Sequence, residues 1–199
     1  MIAVITGDIV NSRTTAATKW QPILKKVLNQ YGKTPKEWEI YRGDSFQLCI
    51  SPDIAFTAAL HIKSSIKQIA ALDVRMSIGI GTIDNRASKL TASTGSAFTR
   101  SGESFDILKR QTLAIASGNT EIDETLNLMF GLALLSINNW SETVAAIIKT
   151  SIEHPQKNQS ELAELLQKTQ SSISEALKRG GFEEVKKLEQ YYKNKIASL

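Results

Sequence analysis

The sequence predicts an α+β protein: a ferredoxin-like βαββαβ domain over residues 1–118, then an all-α domain over residues 119–199. Two observations carry this. Strand-like and helix-like segments alternate up to Gly118, and every periodic segment after Asn119 is helical. The length of 199 residues suits one ordinary domain with a small companion.

The first strand is "IAVITGD", an apolar run ending on Asp8. "ATKWQPILKKVLNQYG" carries Trp20, Ile23, Leu24, Val27, Leu28 and Tyr31 at helical spacing and closes on Gly32. "EWEIYR" and "SFQLCI" form two strands joined by a turn at Gly43-Asp44. Ser51 caps and Pro52 opens a second helix, with Ala55, Ala59, Ile62, Ile66 and Ile69 along one stripe. "VRMSIGIGTI" is the fourth strand, and residues 84–94 are a polar loop. "GSAFTRSGESFDILKR" reads as a third helix and "TLAIAS" as a last short strand. The usual solution for a βαββαβ order is a four-stranded antiparallel sheet with both helices on one face. Beyond residue 119 the pattern predicts helices at about 122–138, 141–153, 159–167, 170–179 and 182–197, with a hinge at "HPQKNQ".

Composition narrows the function classes. Hydrophobic content of 42% and charged content of 22% describe a soluble globular chain. Cys49 has no partner for an internal disulfide and reads as an inert core thiol, which points to a cytoplasmic setting. The N-terminus lacks a secretory pattern and no run is long enough to span a membrane, so no membrane partner is expected. The net charge of +4 is uneven: residues 1–118 hold 15 Lys and Arg against 9 Asp and Glu, residues 119–199 hold 9 against 11.

Asp8 is costly at the end of a buried strand unless a partner meets it. In the predicted topology Asp8 and Asp44 lie at one sheet edge. Two adjacent carboxylates repel unless a cation sits between them. Carboxylate oxygens suit Mg²⁺ or Mn²⁺, with the backbone carbonyl of Ile9 as a third ligand and Gly7 and Gly43 allowing close approach. The alternative reading of Asp44 is an ordinary Gly-Asp turn residue. Candidate nucleotide-binding residues are Asn11, Ser12, Arg42 and Gly43 around this edge, with Gly95 and Ser96 at the third helix start. No organic cofactor is expected.

These motifs carry a resemblance. "ITGDIVNSR" resembles the first motif of class III nucleotidyl cyclases, "YRGDSFQLCI" their Gly-Asp hairpin, and "VRMSIGIGTI" the strand that follows. The complete chain resembles the SatD family, small bacterial proteins pairing such a cyclase-type palm domain with a C-terminal helix-turn-helix. The resemblance implies Asp8 and Asp44 as metal aspartates and Ile9 as the carbonyl ligand. Active cyclases also carry an Asn and an Arg on the following helix; the matching positions here hold Thr99 and Glu103. A carboxylate there repels a phosphate chain, which argues against fast cyclase chemistry.

"NQSELAELLQKTQSSISEALKR" has the layout of a helix-turn-helix at about 158–180. Asn158 and Glu161 form a capping box, and Ala163 is small enough for a close crossing. Leu162, Leu166, Ile173 and Leu177 face inward. Lys168, Thr169, Gln170, Ser171, Ser172, Ser174, Lys178 and Arg179 are the candidate DNA contacts. A helical bundle for packing or dimerisation is the plainer alternative. His61 and His154 read as structural or solvent-facing, and Trp20, Trp38 and Trp140 as core anchors. The expected function is that of a DNA-binding, transcription-regulating homodimer whose cyclase-like domain binds metal or nucleotide. The alternative is a metal-dependent nucleotidyl or phosphoryl transferase.

Overall fold

A computed structural model describes every residue of the chain except Arg110. Its five strands are β1 (Ile2–Val10), β2 (Trp38–Tyr41), β3 (Ser45–Ile50), β4 (Asp73–Gly81) and β5 (Leu113–Ala116). They form one mixed sheet in the order β2-β3-β1-β4-β5. Among the first four strands every adjacent pair is antiparallel, and β5 joins β4 in parallel. The expected last short strand is β5, and it extends the expected four-stranded sheet to five; only its pairing breaks the antiparallel pattern. A parallel pair needs a crossover, which α3 (Ser96–Asp106) supplies.

Alternation along β1 sorts its side chains between two helical layers. Ala3, Ile5 and Ile9 join the main core with Trp20, Leu24 and Leu28 of α1 (Ala17–Leu28) and Phe56, Ala59 and Ile62 of α2 (Ala55–Ile66). Val4 faces the other way, clustering with Cys49 and with Ala97 of α3. Cys49 is buried, and burial pushes its thiol pKa up, consistent with an inert thiol. The strand runs on to Val10, so Asp8 lies inside it rather than at its end. α1 stops at Leu28, short of the expected Gly32. α3 ends at Asp106, and the predicted helix end at position 110 lies outside the described residues.

The C-terminal half holds α4 (Thr120–Ile137), α5 (Glu142–Glu153), α6 (Gln159–Leu166), α7 (Gln170–Arg179) and α8 (Phe182–Ile196). Side-chain caps start most of them: Asn119 on α4, Ser141 on α5, Asn158 with Glu161 on α6 and Thr169 on α7. These helices share a continuous apolar cluster with the sheet half. Phe56 stacks on Phe130 at 4.8 Å between ring centres, and the Tyr192 hydroxyl donates to the Pro52 carbonyl at 2.7 Å. Lys63, buried in α2, donates to Asp73 at 2.7 Å and to Thr112 at 3.0 Å; its desolvation lowers its pKa to about 8. Thr112 in turn donates to Asn138 just past α4, so a polar chain crosses the joint between the halves. Among the described residues no helix is long and apolar enough to cross a membrane.

Candidate functional site

The β1–β4 register sets Asp8 opposite Arg75. Arg75 Nε donates to one carboxylate oxygen of Asp8 at 3.1 Å and Nη2 to the other at 2.5 Å. Bidentate pairing of this kind fixes both groups geometrically. The hydrogen bonds to Asp8 raise the Arg75 pKa. Phe105 of α3 covers the guanidinium, 5.3 Å from its ring centre. Asp8 therefore has its counter-charge within the chain. Arg75 is the one charge inside "VRMSIGIG", and that interruption is the readable sign of it.

Asp44 stands close in backbone but apart in side chain. The Ile9 N–H donates to the Asp44 carbonyl at 3.2 Å, and Asp8 pairs with Ser45. The Asp44 carboxylate, however, accepts the Ser12 hydroxyl at 2.5 Å and lines a cavity beside the start of α1. Asp8 lies on the α3 side with Arg75 and Phe105. As arranged, Asp8, Ile9 and Asp44 do not fit a divalent cation shared between the two carboxylates: one is closed by a guanidinium and the other is turned toward α1. Among the described residues there is also no group of three or more His, Cys, Asp or Glu placed to hold a metal.

The cavity beside Asp44 has a volume of ≈ 280 Å³ and brings together Ser12, Arg13, Trp20 and Arg42 with Gly43 and Asp44. The backbone at and next to its lining is conformationally unusual. Asn11 (φ 61) and Arg42 (φ 49) occupy the left-handed region, and Gly43 (φ 87) follows. Non-glycine residues held there cost roughly 1–2 kcal/mol each and concentrate at binding sites. Gln21 supports the turn by donating to the Gly43 carbonyl at 3.2 Å. Asn11 donates to the Ala71 carbonyl at 2.9 Å, so its side chain fixes the backbone. Trp20 is 2% exposed, yet its buried indole Nε1–H has no partner among the described residues. An orphaned buried donor is costly. The N-terminus of α1 opens on the same cavity through Ala17, with no side-chain cap. Sequence reading treats Trp20 as a core anchor, which its indole body is; the free N–H is visible only in three dimensions.

Gly95 and Ser96 are not part of this site. Ser96 Oγ accepts from the Thr82 N–H at 2.9 Å, beside Gly81, which pairs with Ile2. Ile2 and Asp8 are six residues apart along β1, on the order of 20 Å. A Cβ on Gly95 would sit 2.3 Å from the Thr82 carbonyl, so the glycine serves the close turn into α3. Arg100, on the same helix, donates to the carbonyls of Ile80 and Ser117 at 2.6 and 2.7 Å and ties α3 to the sheet.

In the C-terminal half α6 and α7 meet across residues 167–169. Gln167 takes the left-handed conformation (φ 52) where a glycine is favoured, and the Lys168 N–H closes on the Ala163 carbonyl at 2.9 Å. Leu162, Ala163, Ile173 and Leu177 are buried. Lys168, Thr169, Gln170, Ser171, Ser172, Ser174, Lys178 and Arg179 are all exposed.

No curated protein and no solved structure matches the chain. A model of the SatD family matches residues 1–197, almost its full length, and the protein belongs to the SatD family.

Proposed function

We propose that the protein is a DNA-binding regulator that reads duplex DNA with α7, on a helix-turn-helix formed by α6, the turn at 167–169 and α7. The single observation behind this is the split of α7 into two faces. Ile173, Ala176 and Leu177 are buried, while every polar side chain from Gln170 to Ser174 is exposed. Short hydroxyl and amide groups at the start of a helix suit base edges and phosphates in a major groove. Lys168, Lys178 and Arg179 flank that face. Three phosphate contacts give a salt slope of about −3 on a log–log plot.

The test is fluorescence anisotropy of the full chain with duplex DNA over a salt series. Ser172→Glu puts a carboxylate into the reading face and weakens binding. Equal binding by variant and wild type at low salt removes α7 as the reader.

The sheet half supports a second element of the reading. We take β2-β3-β1-β4 as the ferredoxin-like order of a cyclase-type palm. The cavity lined by Ser12, Arg13, Trp20 and Arg42 suits a phosphate-bearing ligand such as a nucleotide, because two arginines and the uncapped start of α1 border it. This palm works as a binding module rather than a cyclase: Thr99 and Glu103 stand where cyclases carry Asn and Arg, and Arg75 takes the place of a shared metal at Asp8. Calorimetry with ATP, GTP and inorganic phosphate tests it, and absence of heat with all three overturns it.

A further inference from the structure

α4 buries one face and leaves another bare. Ile122, Leu126, Phe130, Leu134 and Ile137 point into the core. On the outer side Leu128, Leu132 and Leu135 are 68%, 62% and 72% exposed. They lie at i, i+4 and i+7, one continuous helical stripe. Beside it runs a groove of ≈ 580 Å³ between α4 and α8, lined by Met129, Ala133, Val185, Leu188 and Tyr191 among others. Three large aliphatic side chains bared together on one helix mark an interaction surface.

We infer that this surface is a two-fold interface with a second copy of the same chain, formed by antiparallel crossing of α4 on α4 at the Gly131–Leu132 peptide. The spacing is self-complementary. With the axis at that peptide, each Leu132 lies over the partner's Gly131, and each Leu128 lies beside the partner's Leu135. Gly131 is the matching recess: a Cβ there would meet nothing within 4 Å of its own chain. An isologous contact needs a protrusion and a recess equidistant from the axis on one surface, and Leu132 with Gly131 provides that pair.

Charge agrees with the antiparallel sense. Glu121 and Glu124 are exposed at the N-terminal end of α4. Lys187 borders the groove beside the C-terminal half, where Ser136 and Gly181 meet. Antiparallel crossing carries each Glu124 toward the half flanked by the partner's Lys187, and it also sets the helix dipoles head to tail. Glu184 lines the same groove and Glu183 precedes it in the first turn of α8, so like charges also stand near that end. The inference does not depend on DNA binding or on the phosphate cavity.

The test is sedimentation equilibrium of the full chain over a roughly hundredfold concentration range, with two variants that act oppositely on the single chain. Wild type sediments as a dimer of 21.9 kDa chains. Leu132→Lys, at an exposed position, sediments as a monomer with an unchanged circular dichroism spectrum. Gly131→Leu fills the recess: its Cβ has nothing within 4 Å outside its own helix backbone, and it replaces a poor helix former. Its thermal midpoint measured as a monomer therefore rises while dimerisation is lost. A monomeric wild type overturns the inference, including one that instead cosediments with phosphatidylcholine vesicles. So does a dimer that survives both substitutions. A dimer lost in Leu132→Lys but strengthened in Gly131→Leu overturns the crossing point.

Discussion

Arg75 stands directly across the β1–β4 ladder from Asp8, and its guanidinium closes on both oxygens of that carboxylate. The same point of the sheet is where the sequence motif leads one to expect a divalent cation. A guanidinium and a metal ion are alternative answers to one electrostatic demand, a carboxylate set into a half-buried strand. The side chains are 22% and 35% exposed, so water screens the pair in part.

Arg75→Met leaves Asp8 without its cation. Full burial would make this cost about 3–5 kcal/mol, and the partial exposure reduces it to about 1–2 kcal/mol. Urea denaturation measures the loss, and Asp8→Asn in the same chain recovers part of it. Mn²⁺ gives the sharper result. It leaves the wild-type thermal midpoint unchanged and raises that of Arg75→Met, where the carboxylate is free. A rise in wild type of the same size means that the metal displaces Arg75.

Trp20→Phe removes a fully buried donor, beside the Asp44 cavity, that lacks a partner among the described residues. A six-membered ring stays but the fused five-membered ring is lost, so some packing goes while an unsatisfied N–H disappears with it. The two effects oppose, and the net change in stability stays within about 1 kcal/mol. If the N–H serves a phosphate-bearing ligand, inorganic phosphate stabilises wild type and stabilises the variant less, as read by the thermal midpoint. Equal shifts with and without the indole N–H remove Trp20 from the site.

Much of this was legible in the chain, for physical reasons that differ by region. Helix starts carry local signals, so the Asn158–Glu161 box and the Thr169 cap were readable and stand in the structure. Strand segments were readable from apolar runs. Side-chain facing was not, because it depends on register. Asp8 and Asp44 were close along the predicted sheet edge, and their backbones do meet through Ile9. Their carboxylates take separate partners, Arg75 and Ser12. Gly95 and Ser96 were phosphate candidates as the start of the third helix, and the antiparallel β1–β4 pairing puts them at the opposite end of β1 from Asp8.

Acid should loosen the joint between α1, α2 and α5. Tyr31, with its pKa raised by burial, keeps its proton and donates to His61 Nδ1 at 2.9 Å. The neutral ring then offers Nε2–H to Glu153 at 3.3 Å, and Lys149 and Gln30 hold the same carboxylate. Burial lowers the His61 pKa from 6.5, with Glu153 opposing in part. A depressed pKa means the unfolded chain takes up the proton first. The His61 contribution is therefore complete above pH 6.5 and shrinks as pH falls below it. Glu153 is partly desolvated, but hydrogen bonds from Lys149 and Gln30 lower its pKa below 4.5; its contribution is lost further into acid. Denaturation midpoints measured from neutral pH downward should fall in these two stages. His61→Gln flattens the upper stage only, and a variant curve that parallels wild type there assigns the loss to other groups.

Gly79 and Gly102 should respond to alanine in opposite directions, although both concern α3. A Cβ on Gly79 would lie 2.2 Å from the Ala97 carbonyl oxygen and 2.3 Å from the Ser101 N, and both are backbone atoms of α3 that no rotamer change can clear. Gly79→Ala must lift the helix from β4. That strains the Thr6–Ser101 bond of 2.9 Å and the two carbonyl contacts of Arg100. The expected cost is about 3 kcal/mol, the upper end for overpacking. Gly102 has nothing within 4 Å of its Cβ position and sits inside α3. Gly102→Ala gains helix propensity of about 1 kcal/mol without a clash. Urea midpoints of the two variants, moving down and up from wild type, test whether α3 docks backbone-to-backbone on the sheet. A mild Gly79→Ala means the helix rides higher, and the Phe105 cover over Arg75 would then loosen with it.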